Sequence, residues 1–529
     1  MPSLQPHNAF TRTGHWLLNR PWLILALYAL WVGCTLNLRA LFVPDEGRYV
    51  SVALGMLHSG DWLVPRLDGL PFFHKPPLFY WITAGSLGVF GVHEWAARLA
   101  PFLASLSVAG TLFWFLNHHA SRRAAALAVL LLATFPLFFD ASQFASMDTL
   151  VGSLIAITVL LLAHASERLA AGQRAGWVLV LAYATAGLGM MTKGMIGFVL
   201  PGMAITFWIL WQRRYRQLYQ LISIPGLIVF AALVLPWFLL MERQFPGFLH
   251  YTFIYQQFDR YLDSTFNNPQ PIYYYVLVLF GGLLPWSVLA IGGHFFKRPR
   301  EYLYANTPAS LRNLGLIWLL SILVFFSIPT SKLIGYILPT VPALTLLGAL
   351  WLDAALTHSP APNRWIRALW LGSVIGASLS MTSVFIFHHI DKKSHKALTE
   401  QVRPQISAAA RVVFYNYYFF SVPFYLNRAT PVQVTGEWHD PALFKTDGAN
   451  TELYTSAKFD PARASSILIS THKLAEEAQA ADQGTAAPVW VFIHKDEAAK
   501  LPLLSGKTPI ASDQRTAVYC FGCASRETN

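Results

Sequence analysis

Apolar runs of about 20 residues recur through the first three quarters of this chain, and no other feature narrows its fold so far. A helix of that length crosses the hydrocarbon core of a bilayer, whereas a soluble core uses shorter, amphipathic stretches. Charge content agrees: 12% of the 529 residues are charged and 54% are hydrophobic, where a soluble domain carries about 25% charged residues. The sequence therefore describes a polytopic α-helical membrane protein. Its first run, "PWLILALYALWVGCTLNLRALFV", is longer than a signal-peptide core and is followed by no small-residue cleavage site, so it reads as a retained anchor.

Basic residues set the orientation. Arg12 and Arg20 precede the first run, which puts the N-terminus in the cytoplasm. The stretch "PPLFYWITAGSLGVFG" (76–91) holds only about 14 apolar residues after its prolines, short for a span and suited to an interfacial helix. With 76–91 on the surface, the loops carrying Arg122 and Arg123, Arg168 and Arg174, Arg213 and Arg214, Lys297 and Arg298, and Arg364 and Arg367 all fall inside. The spans are then about 21–43, 99–116, 124–139, 149–164, 176–190, 195–211, 221–240, 272–292, 313–328, 333–352 and 367–388. That makes eleven, or up to thirteen if long runs break, and an odd number in either case. The net charge of +12 follows from cytoplasmic-loop bias and gives no support to nucleic-acid binding.

Composition turns polar near residue 390. Strand-like runs "RVVFY", "PVQVT", "SSILIS", "VWVFIHK" and "TAVYCF" alternate with helix-compatible stretches, which predicts a small α/β domain. The chain thus divides into a membrane domain, 1–389, with its first outer loop at 43–98, and a periplasmic domain, 390–529. Cys520 and Cys523, in "CFGC", would form a local disulfide there; two thiols alone do not complete a structural zinc site.

Orientation does not account for the basic residues of the outer side: Arg48, Arg66, Lys75, Arg98, Lys193, Arg243, Arg260 and Lys332. Any one lysine at a helix end fits snorkelling to the interface. Lysines in tight outer turns, with Lys75 pinned by prolines in "FFHKPP", go beyond that. Cations converging at the outer boundary suit an anionic headgroup, above all a phosphate. Asp45 and Glu46 follow the first span and Asp148 precedes the fourth; Asp148 also fits a helix cap. Together these residues describe a polar chamber at the lipid boundary. The sequence has no Gly-rich phosphate loop, no nucleophile elbow and no paired His motif at metal spacing. His74 reads as structural, and the aromatics of 248–275 as an interfacial belt from which Arg260 stands out.

The segment "DEGRYVSVALGMLHSGDWLVPRLDGLPFFHKPPLFYW" is followed, in order, by "FASMDTL", "GLGMMTKGMIGFVLP", "GGLLPWS", "SKLIGYILPTVPAL" and "FSVPFYLNR". With these motifs the chain resembles the bacterial members of the protein O-mannosyltransferase superfamily, membrane glycosyltransferases of the GT-C fold. Among them it looks most like the aminoarabinose (4-amino-4-deoxy-L-arabinose) lipid A transferase family. The resemblance implies an undecaprenyl-phosphate-linked sugar as donor and a lipid A phosphate as acceptor, at the periplasmic face of the inner membrane, with polymyxin resistance as the consequence. By position it implies Asp45 as the essential acid, with Lys75 and Asp148 as further catalytic residues. Lys75, Arg260 and Lys193 would hold the donor phosphate, and Glu46, Arg48, Lys332 and Tyr336 would line the site. Other partners are membrane lipids only, and the chain is expected to act as a monomer. The chemistry requires no cofactor, although a bound divalent cation is left open. One departure bears on metal: the family pattern carries His and Glu in the long outer loop, where this chain has Gln256 and Gln257.

Two rival readings stay open on the residues alone. One is a transferase moving a different polyprenyl-linked sugar to protein or glycan; the other is a lipid or sugar transporter. Transporters carry their ionisable groups near the bilayer midplane, often in repeated halves, and neither trait is visible here.

Overall fold

A computed structural model of the chain describes residues 20–259, 268–295, 308–358, 362–390, 394–438 and 449–523. Helix occupies every one of the eleven predicted windows. The count of full-length spans is smaller. Among the described residues, six helices are long and apolar enough to cross a bilayer, or eight if two bent pairs each form one span. The bends, 72° between Arg122–Thr134 and Pro136–Ser142 and 99° between Tyr274–Gly282 and Trp286–Gly292, fall at Pro136 and Pro285, which lack the N–H that a continuous helix needs. The remaining windows hold Pro21–Gly33, Ile196–Trp211 and Gly176–Lys193. At 1.5 Å per residue the 13-residue Pro21–Gly33 spans only about 20 Å. The segment expected at the interface holds the helix Leu78–Phe90, also 13 residues long.

The chain divides into two compact units. The first comprises the described residues of Met1–Arg39, Lys75–Phe79 and Arg98–His388. Met147–Ala170 is its central helix, buried along most of its length, while Ile224–Gln244 is peripheral. Ile228, Leu235 and Leu239 of the latter are exposed, the apolar outer face that a lipid-facing helix presents. Polar fastenings close the turn after the first helix. Arg98, 1% exposed, donates to the carbonyls of Leu36 at 2.7 Å and Arg39 at 2.9 Å. Arg39 in turn donates to the Gln143 carbonyl at 2.9 Å. These carbonyls lack helical partners, so the arginines satisfy groups that burial would otherwise penalise.

The second unit joins Ala40–His74 and Tyr80–Ala97 to His389–Asn529. All five strand-like runs are strands of one sheet, ordered β5-β4-β3-β6-β8-β7. Here β3 is Arg411–Phe414, β4 Gln433–Thr435, β5 Leu468–Ile469, β6 Val489–His494, β7 Ala511–Ser512 and β8 Thr516–Phe521. The first four are parallel and β8 turns antiparallel to β6. Val413, Val491 and Ile493 form its core with Leu474 and Ala478 of the helix Thr471–Asp482. Cys520 and Cys523 form the local disulfide.

Most of the first outer loop, Ala40–His74 and Tyr80–Ala97, groups with this α/β domain, while Lys75–Phe79 groups with the helical unit. The loop's helix Asp45–Ser59 buries Val50, Ala53 and Leu54, and a loop of this length has no core of its own to cover them. Gly47 meets the backbone of Phe420, where a Cβ would approach to 2.9 Å, and Ser51 donates to the Phe420 carbonyl at 2.9 Å. The hairpin of β1, Arg66–Leu67, and β2, Leu70–Pro71, turns at Asp68 and Gly69, both at positive φ, the Asp-Gly signature of a tight hairpin. Asp68 Oδ1 accepts the Val432 N–H at 2.9 Å, while Oδ2 is enclosed with no hydrogen-bond partner. Burial pushes this carboxyl up to about 8, with the Val432 N–H pulling against the shift.

A carboxyl raised above its unfolded value, about 3.9, favours the native state fully below that pH and withdraws its contribution as pH rises through about 8. Asp68→Asn, which keeps the acceptor for Val432, is expected to match the native protein in thermal stability near pH 4 and exceed it above pH 8. Equal melting temperatures at both pH values would contradict this.

Candidate active site

In the helical unit, Asp148 and Lys193 form an ion pair. Asp148 stands in the first turn of Met147–Ala170, and Lys193 ends Gly176–Lys193. Ser146 caps the first of these helices, its Oγ accepting the Asp148 N–H at 3.1 Å. The cap is therefore the serine, and the aspartate side chain is left to meet the lysine. Lys193 Nζ also lies 4.5 Å from the ring centre of Tyr336, within the range where an ammonium is attracted to an aromatic face. Tyr336 follows Gly335, whose Cα runs so close to Asp148 that a Cβ there would come within 3.0 Å of Asp148 Cβ. Asp148, Lys193 and Tyr336 are thus brought together. Lys332 is not part of this group. It is 3% exposed and donates to the carbonyls of Gln270 and Pro329, while its own N–H meets the Asn268 carbonyl. Its charge fastens a turn.

In the second unit the segment "DEGR" divides its work. Glu46 is fully buried, and its Oε2 accepts the Phe42 N–H at 2.7 Å; it braces the helix entry and does not line a site. Arg48 pairs with Asp45 at 2.6 Å and with Glu452, and lies over Phe420 at 5.4 Å. Burial works against the guanidinium charge, but Glu452, Tyr49 and Asp45 outweigh it and hold the pKa above its ordinary value. Asp45 is the accessible member, with 47% of its side chain exposed. Lys75 is half-buried in the turn before Leu78–Phe90. Arg260 and the side chain of Gln257 lie outside the described residues, and Gln256 donates to the Tyr251 hydroxyl at 2.7 Å.

Sequence reasoning missed Glu452, 404 residues beyond its partner, and Gly335, for which "LIGY" gives no local signal. It also missed a group of three metal-capable side chains, His118, His119 and His164. Adjacent histidines show in "NHHAS", but the third comes from another helix.

Breaking a buried ion pair from one side leaves an uncompensated charge and costs about 3–5 kcal/mol. Glu452→Ala is expected to destabilise the protein by the lower end of that range, because Asp45 still faces Arg48. The double variant Arg48→Met/Glu452→Met is expected to recover most of the loss. Denaturant unfolding in detergent measures both, and a double variant no more stable than the single one would refute the pairing as the cause.

Residues 18–252 match the family described as dolichyl-phosphate-mannose-protein mannosyltransferase. The chain is 33% identical over 325 residues to the undecaprenyl phosphate-alpha-4-amino-4-deoxy-L-arabinose arabinosyl transferase of Erwinia tasmaniensis, covering 60% of this chain and 57% of that protein. The Serratia proteamaculans protein of the same name is 32% identical, with 64% and 60% covered. The matched region thus spans about three fifths of these curated relatives. Among solved structures, ArnT from Cupriavidus metallidurans bound to undecaprenyl phosphate superposes with a TM-score of 0.74 at 23% identity, covering 95% of this chain and 98% of that one. The chain has the GT-C fold of that structure.

Proposed function

We propose that this chain transfers 4-amino-4-deoxy-L-arabinose from undecaprenyl phosphate to a phosphate of lipid A, at the periplasmic face of the inner membrane. The observation that carries the reading is the likeness to transferases named for this donor, over 325 residues in one and 373 in another. The geometry supports it with an acid, a lysine and an aromatic ring gathered at the ends of apolar helices. An amphiphilic donor can leave its tail in hydrocarbon and bring only its headgroup to such a place.

In this proposal an oxygen of the acceptor phosphate attacks the anomeric carbon. The bond from that carbon to the donor phosphate oxygen breaks with inversion, and undecaprenyl phosphate leaves with the bonding electrons. The nucleophile is already ionised near neutral pH, so no strong general base is needed. Asp45, Lys75 and Asp148 are the catalytic residues of the proposal. Asp45 orients the acceptor or stabilises positive charge developing on the sugar ring. Lys75, Arg260 and Lys193 stabilise the negative charge that grows on the leaving phosphate, an effect whose loss costs about 10²–10³ in rate for one donor. Asp148 holds the Lys193 ammonium in place beforehand, which spares the reorganisation a free lysine would require.

The family match over 18–252 favours one second reading, transfer of another polyprenyl-linked sugar to a protein hydroxyl. That acceptor must lose a proton, so Asp45 would act as a base.

The deciding experiment is lipid A mass spectrometry in a transferase-deficient Gram-negative strain that still makes the donor. The native chain is expected to add the aminoarabinose mass, and Asp45→Ala, Lys75→Ala and Lys193→Ala, each present in the membrane at native level, to lose it by about 10²-fold or more. Gly335→Ala, which must push Asp148 away from Lys193, is expected to lose activity while still reaching the membrane. Addition of the mass by all the variants would overturn the residue assignment. No addition by the native chain would favour the second reading.

A further inference from the structure

His118 and His119 end the helix Leu99–His119, and His164 projects from the last turns of Met147–Ala170. Their ring centres stand 4.8 to 5.0 Å apart in all three pairings, and one nitrogen from each lies within 4.8 Å of the others. His119 Nε2 and His164 Nδ1 are 2.8 Å apart. No carboxylate among the described residues forms a salt bridge with any of the three. Glu167, which acts on His119 electrostatically, is engaged by Arg214 and Ser310. Arg168, which acts on His164, turns its Nε to the Arg174 carbonyl at 2.8 Å. Carboxylate pairing therefore does not explain why three imidazoles converge. One hydrogen bond between His119 and His164 accounts for two ring nitrogens, and His118, stacked on Trp114 with ring centres 6.5 Å apart, brings a third imidazole beside them.

We propose that these histidines form a binding site for a divalent transition-metal ion of the zinc class, remote from the transfer reaction. Imidazole suits zinc, copper and nickel, and three such ligands leave a fourth position for water. A tetrahedral zinc with bonds of about 2.0–2.1 Å needs nitrogens about 3.4 Å apart, which small ring rotations reach from the separations present. His164 is 3% exposed and His118 is exposed, so the ion would seal a buried face while its open position meets solvent. Sixteen residues of helix separate His164 from Asp148, about 24 Å along the axis. At that distance the ion cannot touch the reacting sugar; it staples two helix ends.

The test uses the full, tag-free chain in detergent, stripped with a chelator and titrated with zinc against a chromophoric competitor. About one tightly bound zinc per chain is expected. His119→Ala, His119→Gln, His164→Ala and His164→Gln should each weaken it by at least tenfold, and the exposed His472→Ala should not. Cobalt in place of zinc should give tetrahedral visible absorption in the native chain and none in the variants. Size-exclusion profiles separate misfolding from ligand loss, and the glutamine variants keep the ring volume in part. Absence of saturable zinc binding by the native chain would overturn the site, as would zinc retained unchanged by all four variants.

Discussion

A charge set among apolar helices has to be compensated within reach, because the surrounding medium does not solvate it. The ion pair of Asp148 and Lys193 meets that requirement, and much nearby detail depends on it. Ser146 takes over the helix cap, Gly335 leaves room for the carboxylate, and Tyr336 offers its face to the ammonium. The same requirement sorts the basic residues of the outer set. Arg98 and Lys332 satisfy backbone carbonyls at turns, and their removal would expose buried oxygens. Lys193 and Arg48 face carboxylates.

The segment "DEGR" is first of all an internal structure. Glu46 braces the chain entering the helix, Gly47 admits the Phe420 backbone, and Arg48 reaches Glu452 of the C-terminal region. Asp45 alone keeps much of its carboxylate exposed, and it is the residue the transfer proposal relies on. Three structural residues around one accessible acid make the acid's position rigid.

What was legible in the sequence was local. Apolar windows gave helices, and alternating apolar residues with β-branched side chains gave the five strands of the α/β domain. Proline bends were harder to place: Pro136 and Pro285 stand inside apolar runs that continue on both sides, so composition reads through them while geometry does not. The boundary at 389 was visible as a shift in composition. The membership of 40–74 and 80–97 in the same unit was not, since it rests on what the helix Asp45–Ser59 packs against.

By itself the sequence determined that the chain is a multi-helix membrane protein with a polar α/β region, and which acids and cations stand at the ends of its spans. Those are properties of single residues and of spacing within one element. Tertiary structure alone decided which cation meets which acid or carbonyl: Lys193 with Asp148, Arg48 with Glu452, Lys332 with two backbone oxygens, His119 with His164. Each partner lies between 45 and 404 residues away in the chain where side chains pair. No local pattern encodes such a distance; packing of whole elements sets it.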